Sequence, residues 1–272
     1  MTSVVPTPPA DQRASQRAAI TESLRRAMSA YARSTERGLI EERPGMTLVS
    51  SGIDYPVFNA AIITGAGDAI DFSAKLARAA EFYVRRRVGW SCWYCEESAG
   101  GTRAEIARVL KRAGLRRVAE HQAMAAESLL PTRRRLPAIE SRPVSTASTR
   151  LDFVFICTRV FGLPGTVAAQ VYGSEPFWQG SFRAWVGYRE GRPVCAAASE
   201  SAPEGVGVYS VATIPELRGQ GYGEAITRLA IERGAPAAGT GRAMLQATRA
   251  GARLYLRMGF EASGKIAVYA TR

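Results

Sequence analysis

The chain has 272 residues, 46% of them hydrophobic, and a net charge of +12 from 36 Lys and Arg against 24 Asp and Glu. At about 150 residues per domain, that length predicts one large domain or two small ones. No apolar run approaches the ~20 residues of a membrane span, and the N-terminus has no basic region ahead of an apolar core, so a cytoplasmic protein without membrane contact is expected. All but three of the cations are Arg. They are spread along the chain with few aromatics between them, which favours solvated faces over a nucleic-acid surface.

In chain order, residues 1–10 are rich in Pro and Ala and predict a disordered tail. A helix is expected over 12–37, with Ala19, Ile20, Ala27, Met28 and Tyr31 on one stripe and Gly38 following it. Residues 46–51 and 57–64 read as strands around a turn at 52–56. A helix follows over 73–87, with Leu76, Ala80, Phe82 and Tyr83 inward and Arg85, Arg86 and Arg87 at its end, where cations suit the dipole. Residues 89–96 read as a strand. They hold Cys92 and Cys95, two of only four cysteines. That spacing admits a zinc half-site or a redox pair. No second Cys/His pair exists, however, and His121 is the only histidine, so buried strand cysteines on opposite faces are expected. A helix over 102–113, with Ile106, Val109 and Leu110 inward, leads into a strand region over 115–128. The Pro-flanked, Arg-rich stretch over 131–147 reads as a linker. Residues 184–189 and 194–200 form a hairpin across Glu190 and Gly191.

The most informative stretch runs from Val208 to Ile231. Tyr209, Val211 and Thr213 suit a strand, and Pro215 stops it. Gly219, Gly221 and Gly223 open a helix marked by Ala225, Ile226, Leu229 and Ala230. A glycine loop ahead of a helix is an anion site, because bare N–H groups and the positive end of the dipole point the same way. No Lys follows as a P-loop requires, and the order is not that of a dinucleotide fingerprint. The order R-x-x-G-x-G from Arg218 to Gly223 resembles motif A of the GNAT-type N-acetyltransferases. Downstream, Ala247, Thr248, Gly251, Leu254, Tyr255, Gly259 and Phe260 resemble that family's motif B. The resemblance covers residues 148–272, about half of the chain.

The resemblance implies a mixed α/β sheet flanked by helices and acetyl-coenzyme A as co-substrate, with no metal. It also implies a helix over 151–161 and a substrate-side loop around Pro176, Phe177 and Trp178. Val211, Ala212 and Thr213 would pair with the pantetheine arm. Gly219, Gln220, Gly221, Tyr222, Gly223 and Glu224 would wrap the diphosphate, with Arg218 adding charge. Tyr255 stands at the family's general-acid position; the other reading is a residue packing on the cofactor. Thr248 is either a cofactor contact or a helix cap. Gln246 cannot act as a base. Glu200 and Glu204 could do so through water, or could be solvated turn residues. The acceptor would be a small-molecule amine or a peptide N-terminus, the alternative being a non-catalytic acyl-coenzyme A sensor or complex subunit.

A faint repeat relates Ile106–Leu115 to Leu254–Phe260, each a helix, a Gly and an apolar strand start. It predicts two GNAT-like lobes, 11–130 and 148–272; an unrelated N-terminal α/β domain is the other reading. In the first lobe Asp68, Asp71 and Phe72 stand where anion-binding amides would be needed, so only the second lobe is expected to hold the cofactor. The chain does not indicate its oligomeric state.

Overall fold

The computed structural model describes residues 9–65, 67–235 and 241–272. The predicted tail over 1–10 falls almost wholly outside them, and Ala10 already belongs to the first helix. That helix, α1 (Ala10–Arg33), runs for 24 residues. A meander follows: β1 (Leu39–Arg43), β2 (Met46–Ser50) and β3 (Asn59–Ile63). The first of these is not foreseeable, because Leu-Ile-Glu-Glu-Arg lacks alternation and lies largely exposed. Next come α2 (Ala69–Arg86), β4 (Ser91–Cys95), α3 (Arg103–Arg112) and β5 (Arg116–Ala126). A Thr102–Glu105 capping box starts α3.

The predicted linker is not structureless. It contains β6 (Glu140–Pro143) and the Thr146 cap of α4 (Ala147–Phe161). Gly162, at φ 67°, ends α4. After α5 (Gly165–Tyr172), the Pro176–Gln179 segment is a 3-10 turn. The remaining elements are β7 (Phe182–Arg189), β8 (Arg192–Ala202), β9 (Gly205–Thr213), α6 (Tyr222–Gly234), β10 (Ala243–Ala247), α7 (Ala252–Met258) and β11 (Glu261–Ala270).

Among the described residues eleven strands form one sheet in the order β1-β2-β3-β4-β11-β5-β10-β9-β8-β7-β6. The order has an internal symmetry. Outward from the β11/β5 pair, each side meets an antiparallel strand of the other half, β4 or β10. Each side then meets a parallel neighbour, β3 or β9, and then antiparallel strands. The two halves are units of like strand order that exchange their last strands. The exchange leaves no trace in the sequence, because nothing in β5 or β11 names a partner and their partners are remote.

The core divides by face. One face packs under α1, α4 and α5, and includes Ile20, Leu24, Phe153, Phe182 and Ala198. On the other face, α2 and α3 cover the first half, and α6 and α7 the second. Each fully buried Leu, Ile or Phe contributes about 1.5–3 kcal/mol. Cys92 and Cys95 point into different clusters on opposite faces, and all four cysteines are free and buried. Among the described residues no His/Cys/Asp/Glu cluster could hold a metal, and no helix is long and apolar enough to cross a membrane.

Candidate active site

The parallel ladder between β9 and β10 covers only Val206–Val208 against Ala243–Leu245. Beyond it β9 continues for five residues and bends away. Ser210 takes a left-handed φ of 50°, and the β8 register shifts opposite it, between Ala196 and Ala198. A non-Gly residue held there costs about 1–3 kcal/mol and marks a constrained site. The hydroxyl of Ser210 meets that of Tyr172, which in turn lies 3.2 Å from the Tyr31 hydroxyl of α1. The strands therefore splay into a wedge whose back wall is braced from the first half of the chain.

The wedge opens into a cleft of about 560 Å³ lined by Val211, Ala212, Thr213, Arg218, Gly219, Gly221, Tyr222, Gly223, Glu224, Thr248 and Tyr255. The cleft thus gathers every residue expected at the site except Gln220, whose side chain turns back to the Glu216 carbonyl. At its floor Gly219 and Gly221 hold φ of 78° and 101°, which only glycine adopts without strain. Gly221 is the N-cap of α6, and no side chain caps it. The first-turn amides of a 13-residue helix therefore face the cleft with the dipole behind them. Arg218 lies beside them, its Nε donating to the Thr213 carbonyl. The Glu224 carboxylate is buried and paired with Arg228 at 2.9 Å, so its main chain is what it offers the cleft.

Tyr255 comes from α7, its ring packed over Gly251, where a Cβ would lie 3.1 Å from the ring. Its hydroxyl meets Thr227, whose own proton goes to the Gly223 carbonyl at 2.7 Å. Burial pushes the Tyr255 phenol up to about 12, partly offset by Thr227. The N-cap of α7 is Gly251, and Thr248 caps the turn leading into it: its hydroxyl accepts from the Gly251 amide at 3.2 Å and its carbonyl from the Ala252 amide at 2.9 Å. Gln246 reaches the Ile20 carbonyl of α1 and the Tyr209 hydroxyl, which also pairs with Ser23 at 2.6 Å.

Glu200 corrects one expectation. It is no turn residue: β8 runs on to Ala202, and Glu200 is 3% exposed within it. One carboxylate oxygen accepts from Ser181 and the other has no protein partner. Burial raises its pKa. Glu204 does sit in the turn, paired with Arg26. Neither lines the cleft. His121 stacks on Trp93 away from the cleft, and burial lowers its pKa.

Sequence reasoning assigned no part in the site to several other residues that line the cleft, among them Arg134, Val160, Phe161, Ser210 and Arg257. The Arg133–Arg135 run was the available signal for the first.

The corresponding place in the first half is closed. The β3/β4 ladder pairs Ala60–Ile63 with Ser91–Tyr94 almost end to end. Carboxylates occupy the start of α2: Asp68 accepts from Asp71 N, and the Asp71 carboxylate takes Gly67 N and Lys75.

Residues 180–262 match the family model of the acetyltransferase (GNAT) domain. A GCN5-related N-acetyltransferase from Kribbella flavida is 19% identical, with a TM-score of 0.67 over 93% of this chain and 95% of that one. A functionally unknown conserved protein from Staphylococcus epidermidis is 10% identical, with a TM-score of 0.62 over 86% and 94%. The tandem GNAT protein from the clavulanic acid biosynthesis pathway is 10% identical, with a TM-score of 0.53 over 96% and 95%. At these identities the structural likeness establishes the fold. No curated protein is similar enough in sequence to count as a match.

Proposed function

We propose that this chain, whose residues 180–262 match the GNAT acetyltransferase domain, is an acetyl-coenzyme A-dependent N-acetyltransferase acting on a small-molecule amine or a peptide N-terminus. One observation carries the reading: a strand splayed from its parallel neighbour ends in a glycine loop that opens an uncapped helix. The wedge suits an extended arm pairing with the main chain of Val211, Ala212 and Thr213 as an added strand. The amides of Gly219–Glu224, with Arg218, suit a diphosphate. Thr248, which lines the same cleft, would lie beside the arm.

Bound acetyl-coenzyme A would supply an activated thioester. The acceptor nitrogen attacks its carbonyl, the C–N bond forms and the C–S bond breaks, and the ammonium proton ends on the sulfur through solvent. Amides of the splayed strand would stabilise the developing oxyanion. Tyr255 is the catalytic candidate, and its chemistry is constrained. A phenol at about 12 is a far weaker acid than an ordinary thiol at about 8.5. The raised phenol pKa disfavours full proton transfer from Tyr255 to the thiolate. Tyr255 acts by donating a hydrogen bond to the leaving sulfur, leaving Thr227 to do so.

Calorimetry with acetyl-coenzyme A, followed by thiol release with an amine panel, tests the reading. Uptake should be measurable, and Gly221→Asp should abolish it. Absence of uptake by the wild-type protein would end it. A second reading, a non-catalytic acyl-coenzyme A binder, draws support from the Tyr255–Thr227 bond and from the pairing of Glu224 with Arg228. It predicts uptake without turnover on any amine.

A further inference from the structure

We infer that the segment joining the two halves is a strap across the phosphate end of the cleft, and that Arg134 within it is a ligand for the diphosphate of the acyl carrier. The inference rests on the function proposed above.

The segment is anchored before it reaches the cleft. Leu130 N donates to the Met258 carbonyl at 2.9 Å, tying it to the end of α7. The Leu130 carbonyl accepts from Arg228 of α6 at 2.8 Å. Gly259 permits this approach, since a Cβ there would lie 2.9 Å from Leu130. The chain then passes over the glycine loop. Arg134 donates through Nη1 to the Gly219 carbonyl at 3.2 Å. Its Nη2 lies 3.3 Å, and Pro137 3.0 Å, from where a Cβ of Gly221 would stand.

A guanidinium has five N–H donors in a planar fork. Arg134 spends one on a carbonyl of the very loop whose amides face the cleft, and lines that cleft itself. The bond fixes the fork's position while leaving donors for an anion. A planar fork suits bidentate recognition of phosphate oxygens. No carboxylate partners Arg134 among the described ion pairs, so its charge is not already neutralised within the fold. The neighbouring carboxylates are taken, Glu224 by Arg228 and Glu216 by Arg159. The strap makes the junction between the halves part of the second half's ligand site.

The test compares the wild-type chain with Arg134→Ala and Arg134→Lys, using coenzyme A by calorimetry and phosphate-free pantetheine by ligand-observed NMR. Arg134→Ala should weaken coenzyme A about tenfold, and Arg134→Lys less. The deficit should shrink as KCl rises from ~0.05 to ~0.5 M. Pantetheine binding should be the same in all three. Arg134 is exposed, so the melting temperature should not move. Unchanged coenzyme A affinity in Arg134→Ala, or an equal loss for pantetheine, overturns the strap and leaves the proposed function standing. Wild-type protein that takes up no coenzyme A overturns both.

Discussion

Two single-methyl substitutions in the glycine loop separate what the fold needs from what the ligand needs. At Gly221, φ is 101° and a Cβ would meet Pro137 at 3.0 Å. Gly221→Ala therefore carries about 1–2 kcal/mol of backbone strain and displaces the segment above it. At ~2–4 °C per kcal/mol for a chain of this size, the melting temperature should fall by about 2–8 °C. Gly223 is different. It lies inside the first turn of α6 with an ordinary φ, and its Cβ would meet Leu254 and Thr213 at 3.5 Å, which is normal contact. Both of those residues line the cleft. Gly223→Ala should leave stability unchanged or raise it by up to ~1 kcal/mol, the helix-propensity gain. The added methyl nevertheless stands where the phosphate would approach. Losing one charge-assisted hydrogen bond, about 1.5–3 kcal/mol, corresponds to a ~10–100-fold weaker Kd. Differential scanning fluorimetry and calorimetry with coenzyme A read the two effects separately. A Gly223→Ala protein that keeps full affinity would refute the placement of the ligand against α6.

Tyr255→Phe, which removes one hydrogen bond to the developing thiolate, should lower kcat about 10–100-fold with little change in the affinity for coenzyme A. Because Tyr255 stays protonated to about 12, the wild-type rate should rise as the acceptor amine loses its proton and show no descending limb up to about pH 10. A descending limb between about pH 8 and 9 would assign the role to another group. Glu200 bears on stability. Its folded pKa is raised by burial, so its neutral form is the favoured one; the stability it contributes is complete below its unfolded pKa and is lost as pH rises through the folded value. Glu200→Gln should therefore stabilise by roughly 1 kcal/mol at pH 7 and by nothing near pH 4, as urea titrations at the two pH values would show; an equal effect at both would exclude the charge as the cause. The four thiols are buried, and burial pushes Cys195 up to about 12. They should ignore Ellman's reagent until the chain is unfolded; prompt labelling of the native protein would contradict their placement.

The site was legible because its chemistry is local. Arg218 to Gly223 occupy consecutive positions whose backbone needs show directly in residue type, and Thr248 to Tyr255 lie within one turn and one short helix. Elements carried by short apolar, β-favouring runs or by helical spacing, such as β2, β4 and α3, were legible for the same reason. What escaped is non-local. Nothing in 116–126 says that its partners are β10 and β11, since one alternating strand fits many neighbours. Ser23 and Tyr31 read as ordinary helix residues and Tyr172 drew no reading, and their hydroxyls reach the wedge only once α1 and α5 lie across the sheet. Glu200 looked like a turn because a charge at the end of an apolar run is usually exposed; the ladder opposite Gly207 keeps it inside. Arg134 looked like solvated linker because no sequence pattern reports what a loop passes over.

The exchanged strands also bear on how the molecule is made. Translation supplies β11 after every other described element, yet its place is between β4 and β5, deep within the sheet. Until then the nascent first half holds β4 open along one edge, the kind of unpaired edge that invites wrong partners. Neither unit can finish alone, so a chain cleaved ahead of residue 261 forfeits both together, and quality control meets this protein as a single all-or-none product.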